Sequence, residues 1–357
     1  MQLERLTCRG FRCLDEIDFL PEPGINILHG GNAQGKTSIL EAILFVTTSK
    51  SHRTNLDTDL VAHGTNEFRI KARVKKRDRD TTIETTWSQG AKRFKVNGVP
   101  QDRLSDILGK VNVILFSPED IALVKGTAAH RRKYLDMALS QIDGPYLNNL
   151  QQYRQTLRQR NELLRKPKPD PELLDVWDAQ LARHADPLMA ARDAFLRQLA
   201  LHAAALHNRI AGDETLDIAY KPNVPPGEPL PDLLARTRDA DLKYRVTSRG
   251  PHRDDFTFTV EGQPARNYAS QGQQRTTALA VKLAELQLAK DRTGEYPVLL
   301  LDEALSELDK PRAHRLFGAI ENEVQCLVTT TSGSAADIPV GQQWPRYRIK
   351  RGSLEKD

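Results

Sequence analysis

Paired cysteines and long apolar runs are both missing from this 357-residue sequence, and each absence excludes a class of protein. Cys8, Cys13 and Cys326 form no CxxC pair and are odd in number, so neither a disulfide framework nor a zinc site is predicted. Apolar runs such as Val298–Leu301 are too short to cross a bilayer, and the first residues lack the apolar core of a secretion signal. We therefore expect a cytoplasmic protein with no membrane partner.

The composition is that of an ordinary globular protein with one or two domains. Hydrophobic residues make up 39% of the chain and charged residues 28%. The formal net charge of +5 supports nucleic-acid binding only weakly, because many globular proteins are equally basic. The position of the charges is therefore more informative than their sum.

The pattern along the chain predicts an α/β domain built from both ends and interrupted by helices. Strand patterns dominate the first third, and helical patterns run from about 127 to 210 without sustained heptads, so no long coiled coil is expected. Five prolines between Pro222 and Pro231 indicate a connector. We assign residues 1–124 and 245–357 to a discontinuous α/β domain, and 125–244 to a helical lobe with its connector.

A glycine-rich stretch between a predicted strand and a predicted helix fits the phosphate-binding pattern GxxxxGK[ST]. It consists of Gly30, Gly31, Asn32, Ala33, Gln34, Gly35, Lys36 and Thr37, followed by Ser38. Glycines let the backbone N–H groups surround phosphate oxygens, and the helix N-terminus favours negative charge. Lys36 is expected to reach the β and γ phosphates of ATP, and the Thr37 hydroxyl to bind Mg²⁺. A chance match would occur in roughly 1% of chains of this length.

A second motif narrows the class of P-loop protein. Val298–Leu301 is a predicted buried strand that ends in Asp302 and Glu303. Asp302 is placed to hold Mg²⁺, and Glu303 to polarise the attacking water as a general base. The alternative is an ordinary strand followed by an acidic helix cap.

Two further segments match motifs of ABC-type ATPases. Ser270, Gly272 and Gln273 lie at the start of a predicted helix over about 273–290 and resemble the signature that completes the nucleotide site of a partner subunit. Ser306–Asp309 matches the D-loop of such dimers. Ser270–Gln273, called the serine segment below, could by itself be any helix cap. The interpretation therefore depends on the order and spacing of all four motifs.

Several stretches resemble the bacterial RecF family along nearly the whole chain. They are Asn32–Ala42, Phe116–Asp120, Arg131–Asp136, Gln159–Asn161 and Gly250–Asp255. The last is the most specific, because SMC heads and transporter ATPases do not carry it. The resemblance implies an α/β fold: an ABC-type P-loop ATPase head with a mixed sheet, a parallel core sheet and an inserted helical lobe.

The resemblance also implies a function. Members of the family form ATP-dependent homodimers that bind single-stranded or gapped DNA, and their weak, DNA-stimulated ATPase activity acts as a switch for release. The expected task is recombinational repair and replication-fork maintenance, as part of the response to DNA damage, with RecO and RecR as partners that help to load RecA. Two departures stand out: Asp302-Glu303 replaces a frequent Asp-Asp pair, and Thr329–Thr331 stands where transporters have a switch histidine.

A row of basic residues is the candidate DNA contact. Arg69, Lys71, Arg73 and Lys75 alternate with apolar residues, so a strand would point all four the same way, where they could neutralise phosphates without reading sequence. An edge strand kept in solution by its charge is the alternative. Arg154, Arg158 and Arg165 form a weaker candidate on a helix, where ordinary solvation explains them as well.

Three other functions compete with the repair protein. An ATPase subunit of a transporter would share the four motifs but lack Gly250–Asp255. A P-loop kinase would lack the serine segment, and an SMC-like scaffold would need a longer coiled coil.

Overall fold

The computed structural model describes residues 1–304, 310–320, 323–331 and 344–357. The strands in these residues are β1 (Gln2–Phe11), β2 (Leu14–Phe19), β3 (Ile25–His29), β4 (Glu67–Lys75), β5 (Thr81–Ser88), β6 (Ala91–Val96), β7 (Val99–Gln101), β8 (Val113–Phe116), β9 (Leu216–Lys221), β10 (Asp255–Val260), β11 (Gln263–Pro264), β12 (Val298–Leu301), β13 (Cys326–Thr330), β14 (Arg346–Lys350) and β15 (Ser353–Lys356). The α-helices are α1 (Lys36–Thr48), α2 (Ile121–Lys125), α3 (Ala128–Ile142), α4 (Gly144–Leu164), α5 (Pro171–Ala211), α6 (Leu230–Arg236), α7 (Arg238–Tyr244), α8 (Ala265–Tyr268), α9 (Gln271–Thr293) and α10 (Lys310–Ala319).

The chain divides into two compact units. The first comprises Met1–Asp120, Ala205–Asp213 and the described part of Arg275–Asp357, and the second comprises Ile121–Ala204 and Glu214–Gln274. The division predicted from the sequence differs in the segment 245–274, because β10 of that segment pairs with β9 and so belongs with the second unit.

Two sheets form the first unit. One is antiparallel throughout, in the order β2-β1-β4-β5-β6-β7. The other has the order β15-β14-β3-β13-β12-β8 and is parallel except for the β14–β15 hairpin. The predicted α/β class with a parallel core sheet is thus confirmed, but the sheet that was expected to be mixed is antiparallel, and β14 and β15 were not foreseen.

Helix α1 contacts strands of both sheets, which explains why nearly all of its residues are buried. Phe45 of α1 packs edge-on against Phe68, which stacks on Trp87 at a centroid distance of 6.1 Å. These rings belong to one apolar core that also includes Leu40 and Leu300. Burying such large side chains anchors α1, and with α1 the loop that precedes it.

The second unit contains α3, α4 and most of α5, as expected for a helical lobe, and in addition the antiparallel sheet β11-β10-β9. That sheet was missed, because β9 is only six residues long and its partner lies more than 30 residues further along the chain. Helix α5 continues through Pro187. Among the described residues, no helix combines the length and the apolarity that a membrane span requires.

Candidate nucleotide-binding site

The loop between β3 and α1 has the geometry of a phosphate cradle. Gly30 and Gly35 take φ values of 153° and 112°, and Ala33 takes 58°, so the backbone turns in ways that favour glycine. Gly35 is the residue before α1, so the loop delivers the helix N-terminus directly to the site. The N–H groups of such a terminus have no partners inside the helix and attract anions.

Lys36 is buried, and its ammonium lies against the same loop. Its Nζ donates to the carbonyls of Gly30 and Gly31, each at 2.8 Å. Burial lowers the pKa of Lys36 from its ordinary value, and the nearby carboxylates of Glu303 and Asp302 oppose that change. The ammonium is therefore held at the loop, with both predicted acids within electrostatic range.

Asp302, directly after β12, connects the first turn of α1 to the end of β13. The hydroxyls of Thr37 and Thr329 both donate to its Oδ1, at 3.0 and 2.7 Å. Thr329 also accepts the backbone N–H of Glu303 at 2.8 Å, and Glu303 adopts a φ of 49°. The sequence paired Thr37 with Asp302 correctly, but it did not anticipate that Thr329 would hold both acids in place.

A cavity of about 830 Å³ opens on these groups. The predicted residues that line it are Asn32, Ala33, Gln34, Gly35, Lys36, Thr37, Ser38, Asp302 and Glu303. Gly30 and Gly31 take part through their carbonyls, as described above. The structure therefore gathers the whole predicted cradle and both acids around one space.

The sequence missed Arg12, which lines the same cavity. It forms a bidentate ion pair with Glu41, with N–O distances of 2.8 and 2.9 Å, and Ser51 donates to the same carboxylate. Burial alone would raise the pKa of Glu41, but the bonds from Arg12 and Ser51 outweigh it and leave that pKa below its ordinary value. An acid on the apolar face of α1 was the signal that a cationic partner existed.

The serine segment forms the cap of α9. The Ser270 hydroxyl accepts the N–H of Gln273 at 3.2 Å, and the Gln273 side chain accepts the N–H of Ser270 at 2.9 Å. This is a capping box, so both side chains have a structural role in the second unit. Ser270 is nevertheless exposed, and Gly272 is partly exposed. The predicted D-loop, Ser306–Asp309, lies outside the described residues.

The basic row on β4 faces solvent as predicted, with every second residue buried. Three of its four members form ion pairs: Arg69 and Lys71 with Glu84, at 2.8 and 3.2 Å, and Arg73 with Glu4 and Asp80. The edge-strand alternative is wrong, because β4 lies between β1 and β5. The row is therefore a largely neutralised ladder on an internal strand, with Lys75 exposed at its end.

Arg131 and Arg132 of the family stretches take part in polar networks of the second unit, whereas Arg253 is exposed. Arg131 pairs with Asp255 at 2.6 Å, and Arg132 donates to the carbonyl of Asp254. Arg192 donates to the Asp254 carboxylate at 2.8 Å, an interaction that the sequence did not predict. These contacts assign the Gly250–Asp255 stretch a structural role within its unit.

His252 is bound through both ring nitrogens. Its Nε2 lies 2.9 Å from the Thr247 carbonyl, and its Nδ1 lies 2.6 Å from the Tyr153 hydroxyl. Because one partner can only accept, Nε2 carries the proton and Nδ1 accepts from the tyrosine. Both contacts lie within the second unit, so His252 has a structural role there.

The two-sheet unit, with its cradle beside an acidic strand end, defines an ABC-type ATPase head of the SMC kind. Heads of this kind are also its structural neighbours: a solved Smc head domain from Pyrococcus furiosus has a TM-score of 0.62 at 16% identity, covering 100% of this chain and 96% of the other. That likeness concerns the fold alone.

The chain belongs to the RecF family. The family model described as RecF/RecN/SMC N terminal domain matches residues 2–337. DNA replication and repair protein RecF of Listeria welshimeri is 42% identical and that of Halalkalibacterium halodurans 41%, each over 100% of both chains. A solved structure of the recombination mediator protein RecF-ATP in the RecFOR pathway has a TM-score of 0.92 at 34% identity, covering 100% of this chain and 97% of the other.

Proposed function

We propose that this chain is an ATP-switched DNA-binding protein of recombinational repair and replication-fork maintenance. The observation that carries the proposal is the convergence of Lys36, Thr37 and Asp302 on one cavity in a member of the RecF family. Relatives named as DNA replication and repair proteins, and a structural neighbour named with ATP, support the same conclusion.

The cradle would hold ATP through its phosphates. The backbone N–H groups of the loop and the Lys36 ammonium would hold the β and γ phosphates, and Ser38 lines the same cavity from the first turn of α1. The hydroxyl of Thr37 and the carboxylate of Asp302, 3.0 Å apart, offer the hard oxygen ligands that Mg²⁺ prefers. The ion would supply charge neutralisation at the phosphates. Glu303 is placed to accept a proton from the attacking water, since Thr329 fixes its backbone beside Asp302.

Two copies would share each nucleotide. Ser270, Gly272 and Gln273 lie at the N-terminus of α9, where a phosphate of a neighbouring subunit would replace the capping bonds between Ser270 and Gln273. The exposure of Ser270 supports this proposal, because a serine buried in its own subunit could not reach a partner. ATP would thus join a homodimer, and slow hydrolysis would release it.

DNA with single-stranded gaps is the proposed ligand of the dimer, and RecO and RecR are its proposed partners in loading RecA. The outer face of β4 remains a candidate contact through Arg69, Lys71, Arg73 and Lys75. Because Glu84, Glu4 and Asp80 already pair with three of these groups, DNA would have to compete with the ion pairs. The row would then contribute less to DNA binding than four unpaired cations would.

Substitution of Lys36 tests the coupling between ATP and DNA. We expect Lys36→Met to keep the fold but to lose the ATP-dependent part of its binding to gapped duplex, because the ammonium is the side-chain cation of the cradle. The measurement is fluorescence anisotropy of a gapped duplex with and without MgATP, across a salt series, since phosphate contacts weaken steeply with salt. If ATP stimulated DNA binding by Lys36→Met as much as by the wild type, the proposed coupling would be refuted.

A further inference from the structure

The β14–β15 hairpin ends in a two-residue turn that touches the phosphate loop. The turn residues are Arg351 and Gly352, with φ values of 49° and 78°, as in the tight turns that suit twisted hairpins. The sequence offers no motif here, and the predicted nucleotide site did not include this segment.

Gln34 connects the turn to the loop. The N–H of Gly352 donates to the Gln34 carbonyl at 3.0 Å, and the N–H of Arg351 donates to Gln34 Oε1 at 2.7 Å. The other end of the same amide, Nε2, donates to the Asn32 carbonyl at 3.3 Å. One side chain therefore links the loop to itself and to the hairpin.

The hairpin packs closely against the phosphate loop and against the connection between β1 and β2, and neither contact leaves room for a side chain. A Cβ on Gly30 would lie 2.3 Å from the Ile349 carbonyl oxygen, and a Cβ on Gly352 would lie 2.2 Å from the carbonyl oxygen of Cys13. Both distances are well below van der Waals contact with backbone atoms. On the sequence alone, Gly30 is explained by the need for the backbone to come close to phosphate. The contact with Ile349 shows that β14 also comes too close for any residue other than glycine.

The strand that enters the loop is held by the same segment. β14 pairs in parallel with β3, and its Arg348 lies opposite His29, the residue before Gly30. The Nε2 of buried His29 donates to Oδ2 of Asp357 at 2.6 Å. The loop is therefore bound at its entrance by Asp357 and near its centre by the turn.

We propose that the β14–β15 hairpin is a positioning element for ATP, in which the turn at Arg351 and Gly352 fixes Gln34 and so keeps the phosphate loop in its binding shape. The proposal rests on the proposed ATP function. Its physical basis is preorganisation: a loop already ordered by two N–H donors loses less conformational entropy when phosphate binds. Gln34 is then a positioning residue, which acts through the loop backbone.

The test compares two glycines in equivalent turns. Gly352→Ala forces a methyl group against Cys13, whereas Gly90→Ala has the same left-handed backbone, φ 80°, in the β5–β6 turn with nothing within 4 Å. The measurements are the dissociation constant of MgATP by calorimetry and the melting temperature without nucleotide. We expect Gly352→Ala to weaken MgATP binding about tenfold or more. Gly90→Ala should change it by less than about twofold.

Two more variants separate positioning from a general loss of folding. Arg351→Gly keeps the N–H and suits the left-handed turn, so it should bind MgATP like the wild type. Gln34→Ala should weaken binding because it removes the acceptor of the Arg351 N–H. Its effect should not add fully to that of Gly352→Ala, because the displaced turn would lose the same contact. Additive losses of affinity, or equal MgATP affinities of Gly352→Ala and Gly90→Ala, would overturn the positioning role. In either case, MgATP binding by the wild type would still support the proposed ATP site. No MgATP binding by the wild type would overturn both.

Discussion

Asp302 illustrates which contacts a sequence reveals at the scale of single residues. Its neighbour Thr37 was predictable, because the two motifs that contain them meet in P-loop proteins. Its neighbour Thr329 was not, since nothing in the run of three threonines marks the one whose hydroxyl reaches Oδ1. Thr329 therefore contacts the carboxylate of Asp302 and the backbone N–H of Glu303 through one hydroxyl.

His252 makes the stability of the second unit depend on pH. Burial lowers its pKa to about 4, so the folded protein keeps the ring neutral where an unfolded chain, with an ordinary value of 6.5, would protonate it. Between those values the unfolded state binds more protons, and the free energy of unfolding must fall as the pH decreases from about 6.5 to about 4. The full effect is roughly 3 kcal/mol.

Urea unfolding at several pH values measures this dependence. The variant His252→Gln retains a side-chain N–H donor but does not titrate, so its stability should change less over the same range. Equal pH dependence of the two proteins would show that other groups cause it.

At the scale of helices and strands, the roles of residues in the second unit depend on contacts between distant segments more than on sequence motifs. The sequence predicted its helices and recognised Gly250–Asp255, but it left open whether Arg131 and Arg132 meet DNA, nucleotide or protein. Their acidic partners lie more than 100 residues away along the chain, and no local pattern encodes such a pairing. Likewise β9 became visible only through its pairing with β10.

Arg192 and Arg197 on α5 provide a matched pair for testing the buried network. Arg192 is 2% exposed and bonds Asp254 and Asp136, whereas Arg197 is 77% exposed and pairs only with Asp193 among its described contacts. Arg192→Met should lower the free energy of unfolding by about 3–5 kcal/mol, because it leaves the Asp254 carboxylate buried without its cation. Arg197→Met should change it by less than about 1 kcal/mol. The measurement is urea denaturation followed by circular dichroism, and similar losses in the two variants would contradict the role given to the network.

At the scale of the whole molecule, the motifs predicted the architecture of the first unit better than its details. The phosphate loop and the acidic strand require neighbouring parallel strands, and β3, β13 and β12 are indeed consecutive. The addition of β14 and β15 beside β3 could not be predicted, because it depends on contacts between segments about 320 residues apart. The sequence therefore located the phosphate loop and the acidic strand end, but not the hairpin that contacts the loop.

The association of two copies around ATP is the central claim, and Glu303→Gln tests it most directly. Loss of the general base should block hydrolysis while sparing binding, so the ATP-bound dimer should accumulate. Light scattering in saturating MgATP should then give twice the 40.2 kDa mass of the chain. Adding Ser270→Arg, which places a bulky side chain at the exposed cap of α9, should restore the monomer. A Glu303→Gln protein that binds MgATP but stays monomeric at high protein concentration would contradict the account.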